Sequence, residues 1–304
     1  MISTTRIRSE NDLFQTFVAL RGNRSKRNKR GEFIFEGVRN INNAQAFNWQ
    51  MRGLLFAPER PLSAWARGVL TACDAAHRYE LPMDLLAKLS AKETPSELLG
   101  IAAIPPDDLM RIGVQRPSLV LVFDRPANPG NLGTLIRSCD ALGADGLVVS
   151  GHAVDVYDAE TISAATGSLF SLPVVRVPSQ RELEPWLATL RAAQPTLQVI
   201  GTDESAEVRL DACDFTRPTV LLVGNEARGL SVGYKALCDA MVRIPMLATA
   251  RQRMTASGSA RRRSGDQEPA PPGALAKGSA SSLNVACAGS IVLYEIARQR
   301  QGAA

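Results

Sequence analysis

Three short stretches of this 304-residue chain hold the polar residues that could do chemistry. They are Asn131-x-Gly133-x-x-x-Arg137, Gly224-Asn225-Glu226 and Ser282-Leu283-Asn284. Each lies at the end of an apolar run, which is where α/β proteins bind ligands. Amide, carboxylate, hydroxyl and guanidinium groups together can orient a substrate and stabilise charge without a covalent nucleophile. His77 and His152 are the only histidines. A zinc site or a His-based triad is therefore not expected, and no resident metal is assigned. Taken singly, each stretch also has an ordinary explanation: Glu226 as a helix-capping carboxylate, Asn225 as a turn residue, Ser282 as an N-cap, Arg137 as a solvated helix residue.

The elements that must position these residues can be read from periodicity. Ser118 to Phe123 is a short apolar run, predicted as a buried strand, and Asp124, Pro126, Pro129 and Gly130 break it. Leu132, Leu135, Ile136, Cys139 and Leu142 then recur at helical spacing, with Asn131 as the expected N-cap and Gly143 where a left-handed C-cap belongs. Strand-like and helix-like segments alternate over 146–150, 159–165, 172–177, 181–192 and 197–201. That alternation predicts a parallel sheet covered by helices. Strands are expected at 219–224 and 241–245 around a short helix at 231–240, and a last helix from Ser282 to Ala297, with Arg298 and Arg300 at its negative end.

The first part of the chain reads as a smaller α/β unit. It has a helix built on Leu13, Phe14, Phe17 and Leu20, a basic run at 21–30 expected as a loop, and a strand-like GEFIFEGVRNI. Short segments continue to Ile104, and Pro105, Pro106, Asp107 and Asp108 mark a boundary. Two domains are expected, 1–110 and 111–304. Within the second, 247–276 is rich in Ala, Ser, Gly, Pro and Arg and is expected as a mobile insertion.

The formal charge of +5 is uneven, because residues 1–40 alone carry a balance of +5 and residues 247–277 one of +4. Localised basic segments suit a polyanionic partner. Arg21, Arg24, Lys26, Arg27, Lys29 and Arg30 are the expected phosphate contacts, positioning a polyanion without reading its bases. No run approaches a membrane span or a signal-peptide core, so a cytoplasmic protein without a membrane partner is expected. The five cysteines are scattered and read as core thiols.

Taken in order, the three stretches resemble the SpoU, or TrmH-like, branch of the SPOUT RNA methyltransferases. Asn131-x-Gly133-x-x-x-Arg137 is similar to that family's first motif and VGNEARGLS at 223–231 to its second. IPM at 244–246 with SLNVACAGSIVLYE at 282–295 is similar to its third, and NRSKRNKRGEFIFEGVRNI to the L30e-like RNA-binding domain of many members. The resemblance implies an α/β architecture: a C-terminal parallel-sheet domain with a deep trefoil knot, behind a smaller L30e-like domain. It implies a homodimer with composite active sites, and S-adenosylmethionine held around Gly224, Asn225, Ile244, Met246, Ser282 and Leu283. Asn131, Arg137, Glu226, Ser282 and Asn284 would then shape the catalytic pocket. The implied reaction is 2′-O-ribose methylation of RNA, most closely of a uridine in 23S ribosomal RNA, with resistance to orthosomycin antibiotics. A catalytically silent RNA-binding protein on the same fold, or a transfer-RNA 2′-O-methyltransferase, are the alternatives. The resemblance also leaves two roles open for Arg137, as proton acceptor or as a permanent charge holding phosphate and a developing alkoxide. Neutralising an ordinary guanidinium near pH 7 costs on the order of 7 kcal/mol. The family joins its IPM and SLN segments by a few residues, so 247–276 is a departure from the pattern.

Overall fold

The computed structural model describes residues 3–114, 117–246 and 282–302. The expected insertion and the crossing expected to complete a knot lie outside the described residues.

The first unit comprises β1 (Ser3–Arg6), α1 (Asp12–Gly22), α2 (Arg24–Arg30), β2 (Glu32–Glu36), α3 (Val38–Ala46), β3 (Met51–Phe56), α4 (Ala64–Ala72), β4 (His77–Glu80), α5 (Met83–Leu89) and β5 (Leu99–Ala103). Its strands form one sheet in the order β1-β4-β3-β5-β2, with β5 antiparallel to both neighbours and the other pairs parallel. Both faces are covered. Phe33 and Phe35 of β2 face one apolar cluster, while Ile34 between them joins Phe14, Phe17 and Leu20 of α1 in another. Both faces of β2 are thus buried, with Ile34 on the face opposite Phe33 and Phe35.

The basic run is helical, not a loop. The Asn23 side chain accepts from Lys26 N and starts α2 immediately after α1, and Gly31 ends it in the left-handed region at φ 64°. One of its cations is turned inward. Arg27 is 2 % exposed and gives Nε and Nη2 to Asp155 Oδ2 at 2.8 and 2.6 Å, with Nη1 on the carbonyls of Leu20 and Arg21. Its guanidinium is thus committed to a buried ion pair and cannot contact phosphate as expected.

The second unit begins with β6 (Leu119–Asp124), α6 (Pro129–Ala141), β7 (Gly146–Ser150), α7 (Ala159–Ala165), α8 (Ser168–Ser171), β8 (Val174–Val177), α9 (Gln180–Ala193) and β9 (Gln198–Thr202). It ends with β10 (Val208–Arg209), β11 (Thr219–Val223), α10 (Val232–Leu237), β12 (Ala240–Arg243) and α11 (Val285–Gln301). These strands form a sheet of order β10-β12-β9-β11-β6-β7-β8 in which every described pairing is parallel. Along β6, Leu119, Leu121 and Phe123 pack on one face with α6 and α11, and Val120 and Val122 on the other with α9. This two-sided burial explains the continuous apolar run.

Both helix caps near the expected site differ from the sequence reading. Pro129 occupies the first turn of α6, so Asn128 is the cap and accepts from Asn131 N at 2.9 Å. At α11 the cap is Asn284, whose Oδ1 accepts from Ala286 N and Cys287 N, and Ser282 lies before it. Of the cysteines, Cys73 and Cys139 are buried, as expected of core thiols, and burial pushes the Cys139 thiol up. Cys287 is exposed.

The two units share one core. Phe33 lies 4.7 Å from Tyr157 between ring centroids, Phe35 4.7 Å and Trp49 5.0 Å from Phe170, and Trp49 Nε1 donates to the Phe170 carbonyl at 2.8 Å. The Arg27–Asp155 pair closes the same joint. Arg27→Ala should leave the Asp155 carboxylate buried without its partner and lower stability by about 3 to 5 kcal/mol. Urea denaturation of the full chain measures this, and a loss below about 1 kcal/mol would show that water replaces the guanidinium.

Candidate active site

The parallel strands β6, β9, β11 and β12 deliver their C-terminal ends to one edge, and the polar stretches emerge there. Asp124, the last residue of β6, is 1 % exposed. Its carboxylate takes Arg125 Nε and Nη2, each at 2.9 Å, and accepts Ser231 N at 2.8 Å. Arg125 has a φ of 53°. That left-handed turn lets its carbonyl accept from Asn225 Nδ2 at 2.7 Å while Nη2 reaches the Gly229 carbonyl at 3.2 Å. The segment from Gly224 to Ser231 is therefore gripped at three points by one dipeptide. Gly224 admits no side chain, since a Cβ there would lie 2.2 Å from backbone atoms of Gly229 and Leu230. Asn225 Oδ1 accepts from Ala227 N and Arg228 N, so its side chain is consumed in shaping the loop.

The loop presents Glu226 to the start of α6. Its carboxylate accepts from Ala127 N at 3.0 Å, Asn128 N at 3.1 Å and Asn131 Nδ2 at 3.1 Å. Asn131 Oδ1 in turn accepts from Asn284 Nδ2 at 3.0 Å. Asn131, Glu226 and Asn284, distant in sequence, thus form one relay, in which the Asn131 amide is oriented from both sides. Arg137 does not join it. Six residues along α6 is about 9 Å further on and about 240° round the axis. Arg137 is exposed, and its guanidinium makes no hydrogen bond or ion pair with the described residues.

Beside the relay lies a cavity of about 450 Å³, bounded by Gly224, Ile244, Met246, Leu283 and Val285 and by the end of β9 at Thr202, Asp203 and Glu204. Asn225, Glu226 and Ser282 also border it. Thr202 to Glu204 were missed in the sequence because nothing but their place at a strand end marks them. Asp203 accepts from Lys235 Nζ at 2.7 Å and Ser205 Oγ at 2.6 Å, which hold its carboxyl down at about 2. The wall it forms stays ionised across the physiological range.

Gly133 has a packing role. A Cβ there would lie 2.4 Å from the Thr161 carbonyl oxygen and 2.6 Å from Ala164 Cβ, so the glycine lets α6 and α7 cross closely. On the other side α6 meets α11, with Gly289 against Leu135 and Ser138 Oγ 2.7 Å from Ser290 Oγ. These two contacts set the position of Asn131 relative to Asn284.

A family model described as the SpoU rRNA Methylase family matches residues 118–252, and one described as the SpoU L30e-like domain matches residues 11–100. A 23S rRNA (uridine(2479)-2′-O)-methyltransferase of Streptomyces viridochromogenes is 44% identical over 296 residues, 97% of this chain and 92% of that protein. The crystal structure of the SpoU methyltransferase AviRb from the same organism, in complex with AdoMet, superposes with a TM-score of 0.80 at 42% identity, covering 96% of this chain and 100% of that one. An AdoMet-bound rRNA methyltransferase from Sinorhizobium meliloti has a TM-score of 0.75 at 26% identity, over 97% and 98% of the two chains.

Gly133→Ala tests the crossing. It should cost about 1 to 3 kcal/mol in denaturant unfolding, because backbone on α7 blocks the methyl. An unchanged midpoint would mean that α7 moves aside freely.

Proposed function

This chain belongs to the SpoU family of RNA methyltransferases, and we propose that it methylates a ribose 2′-hydroxyl of RNA with S-adenosylmethionine, on a uridine of 23S ribosomal RNA like the Streptomyces relative. Orthosomycin resistance in the cytoplasm of its host would follow. The observation that carries the reading is the Glu226–Asn131–Asn284 relay at the rim of a cavity large enough for a cofactor.

The residues present fit S-adenosylmethionine. Gly224, closed against Gly229, gives the cavity a backbone wall, Ile244, Leu283 and Val285 give it apolar surface, and Thr202 to Glu204 give it polar groups. When bound there, the cofactor supplies a methyl group on a positively charged sulfur. The protein's own part is alignment and exclusion of water, which can supply roughly 7 to 11 kcal/mol. Glu226 already accepts from two backbone N–H groups and the Asn131 amide. We therefore assign it to holding Asn131 and not to taking a proton. Asn131 and Asn284 would orient the ribose beside the cavity.

Arg137 is one of the exposed cations whose side chain has no partner among the described residues, and we assign it to phosphate and to the charge developing on the 2′-oxygen. Its face of α6 points away from Asn131 in the same chain, which favours service to the cavity of a second copy. Leu283, Ile291 and Tyr294, 38, 39 and 60 % exposed around α11, are the apolar surface on which that copy would pack. Arg21, Arg24, Lys26, Lys29 and Arg30 remain as phosphate contacts for the first unit, which we place at 1–110 ahead of a methyltransferase unit at 111–304. Among the described residues no helix is long and apolar enough to cross a membrane, and no group of acidic, His and Cys residues could hold a metal.

Labelled S-adenosylmethionine and ribosomal RNA lacking the modification should give label in a 2′-O-methylnucleoside, reduced about a hundredfold or more in Arg137→Ala. RNA bound but unlabelled would leave the silent RNA-binding protein. Ile291→Asp should convert a dimer to a monomer in light scattering, and an unchanged mass would move the interface elsewhere.

A further inference from the structure

The cleft between the two units is built from groups that the relay and its cavity do not use. It has a volume of about 620 Å³ and runs from the start of α3 to α7. Val38, 53 % exposed, supplies an apolar wall, and Ile162, 3 % exposed, lies at the floor of the cleft. Arg39, next on α3, is exposed, and its guanidinium makes no hydrogen bond or ion pair with the described residues. Asn40 is 8 % exposed. Its Nδ2 donates to the Glu36 carbonyl at 2.7 Å, which fixes the amide and leaves Oδ1 buried without a donor among the described residues.

Glu36, also in the cleft, is already occupied by Ser90 Oγ, Ala91 N and Ser96 N. The Glu160 carboxylate on α7 accepts no hydrogen bond from the described residues. Its Oε1 lies 3.4 Å from the place a Cβ would take on Gly130, so the cleft ends one residue from Asn131. A strand whose target ribose reached Asn131 would pass its neighbour across Glu160 into the cleft.

We propose that this cleft holds an unpaired RNA nucleotide adjacent to the methylated one, its base against Val38 above the floor at Ile162 and its phosphate on Arg39. Single-stranded RNA is read in this way, by apolar contact with an unstacked base and hydrogen bonds to its edges. The free acceptors, Asn40 Oδ1 and Glu160, select a base with an exocyclic amino group, which offers two N–H donors, over uracil with one. The site extends the proposed methyltransferase reading and rests on it for the position of the target ribose.

The test uses the full chain and single-stranded oligo-A, oligo-C and oligo-U RNA of about ten nucleotides. Oligo-A and oligo-C should bind about tenfold more tightly than oligo-U. Ser163→Trp, at an exposed position lining the cleft, should erase that preference. Arg39→Ala should weaken all three alike and reduce the salt slope by about one. Thermal melting and S-adenosylmethionine binding should be unchanged in both variants. Equal binding of the three oligonucleotides, or a preference that survives Ser163→Trp, would overturn the cleft site. Methyl transfer intact beside such a result would sink the cleft alone, whereas a cleft that discriminates in a protein transferring no methyl would sink the enzymatic reading alone.

Discussion

The Asn131 amide, donating to Glu226 and accepting from Asn284, is the interaction on which the arrangement of the site depends. It joins the start of α6, the loop after β11 and the start of α11, three segments with no local reason to meet. Because an amide has a fixed donor side and a fixed acceptor side, each partner constrains the other through it. The Glu226 carboxylate is pinned by backbone N–H groups, and Asn284 is pinned by capping its own helix. Both neighbours are thus held independently of the Asn131 side chain, and the relay has one geometry.

Behind the relay stands a second constraint, the grip of Asp124 and Arg125 on the glycine-containing loop. The buried carboxylate is satisfied by a guanidinium and a backbone N–H, so its burial carries no unpaired charge. Arg125 accepts a left-handed backbone, uncommon for a residue with a side chain, to direct its carbonyl and guanidinium at two points of the same loop. Gly133 and Gly289 act on α6 from opposite sides, by steric absence where the first pair acts by polar contact.

Much of this was legible in the sequence. The strand and helix from Ser118 to Gly143, the alternation beyond it and the three polar stretches follow from periodicity and turn residues, which are local. What was misread depends on partners far along the chain. Asn131 and Ser282 looked like caps because a short polar residue before an apolar run usually is one, yet Asn128 and Asn284 do that work and leave Asn131 free for the relay. Arg27 could not be told from its neighbours in the basic run, since its burial is decided by Asp155, 128 residues away. Gly133 looked chemical because it stands in a motif, and only the crossing of α7 reveals it as space. Thr202 to Glu204 carry no pattern at all.

The aromatic joint of Phe33, Phe35, Trp49, Tyr157 and Phe170 has a consequence for how such proteins diversify. Each aromatic pair contributes about 0.5 to 1.5 kcal/mol beyond its area, and rings of both units share the contacts. The first unit is therefore not an interchangeable attachment. A graft of this recognition module onto another catalytic body would have to carry half of a hydrophobic core with it, so the two parts are expected to have changed together and not by shuffling.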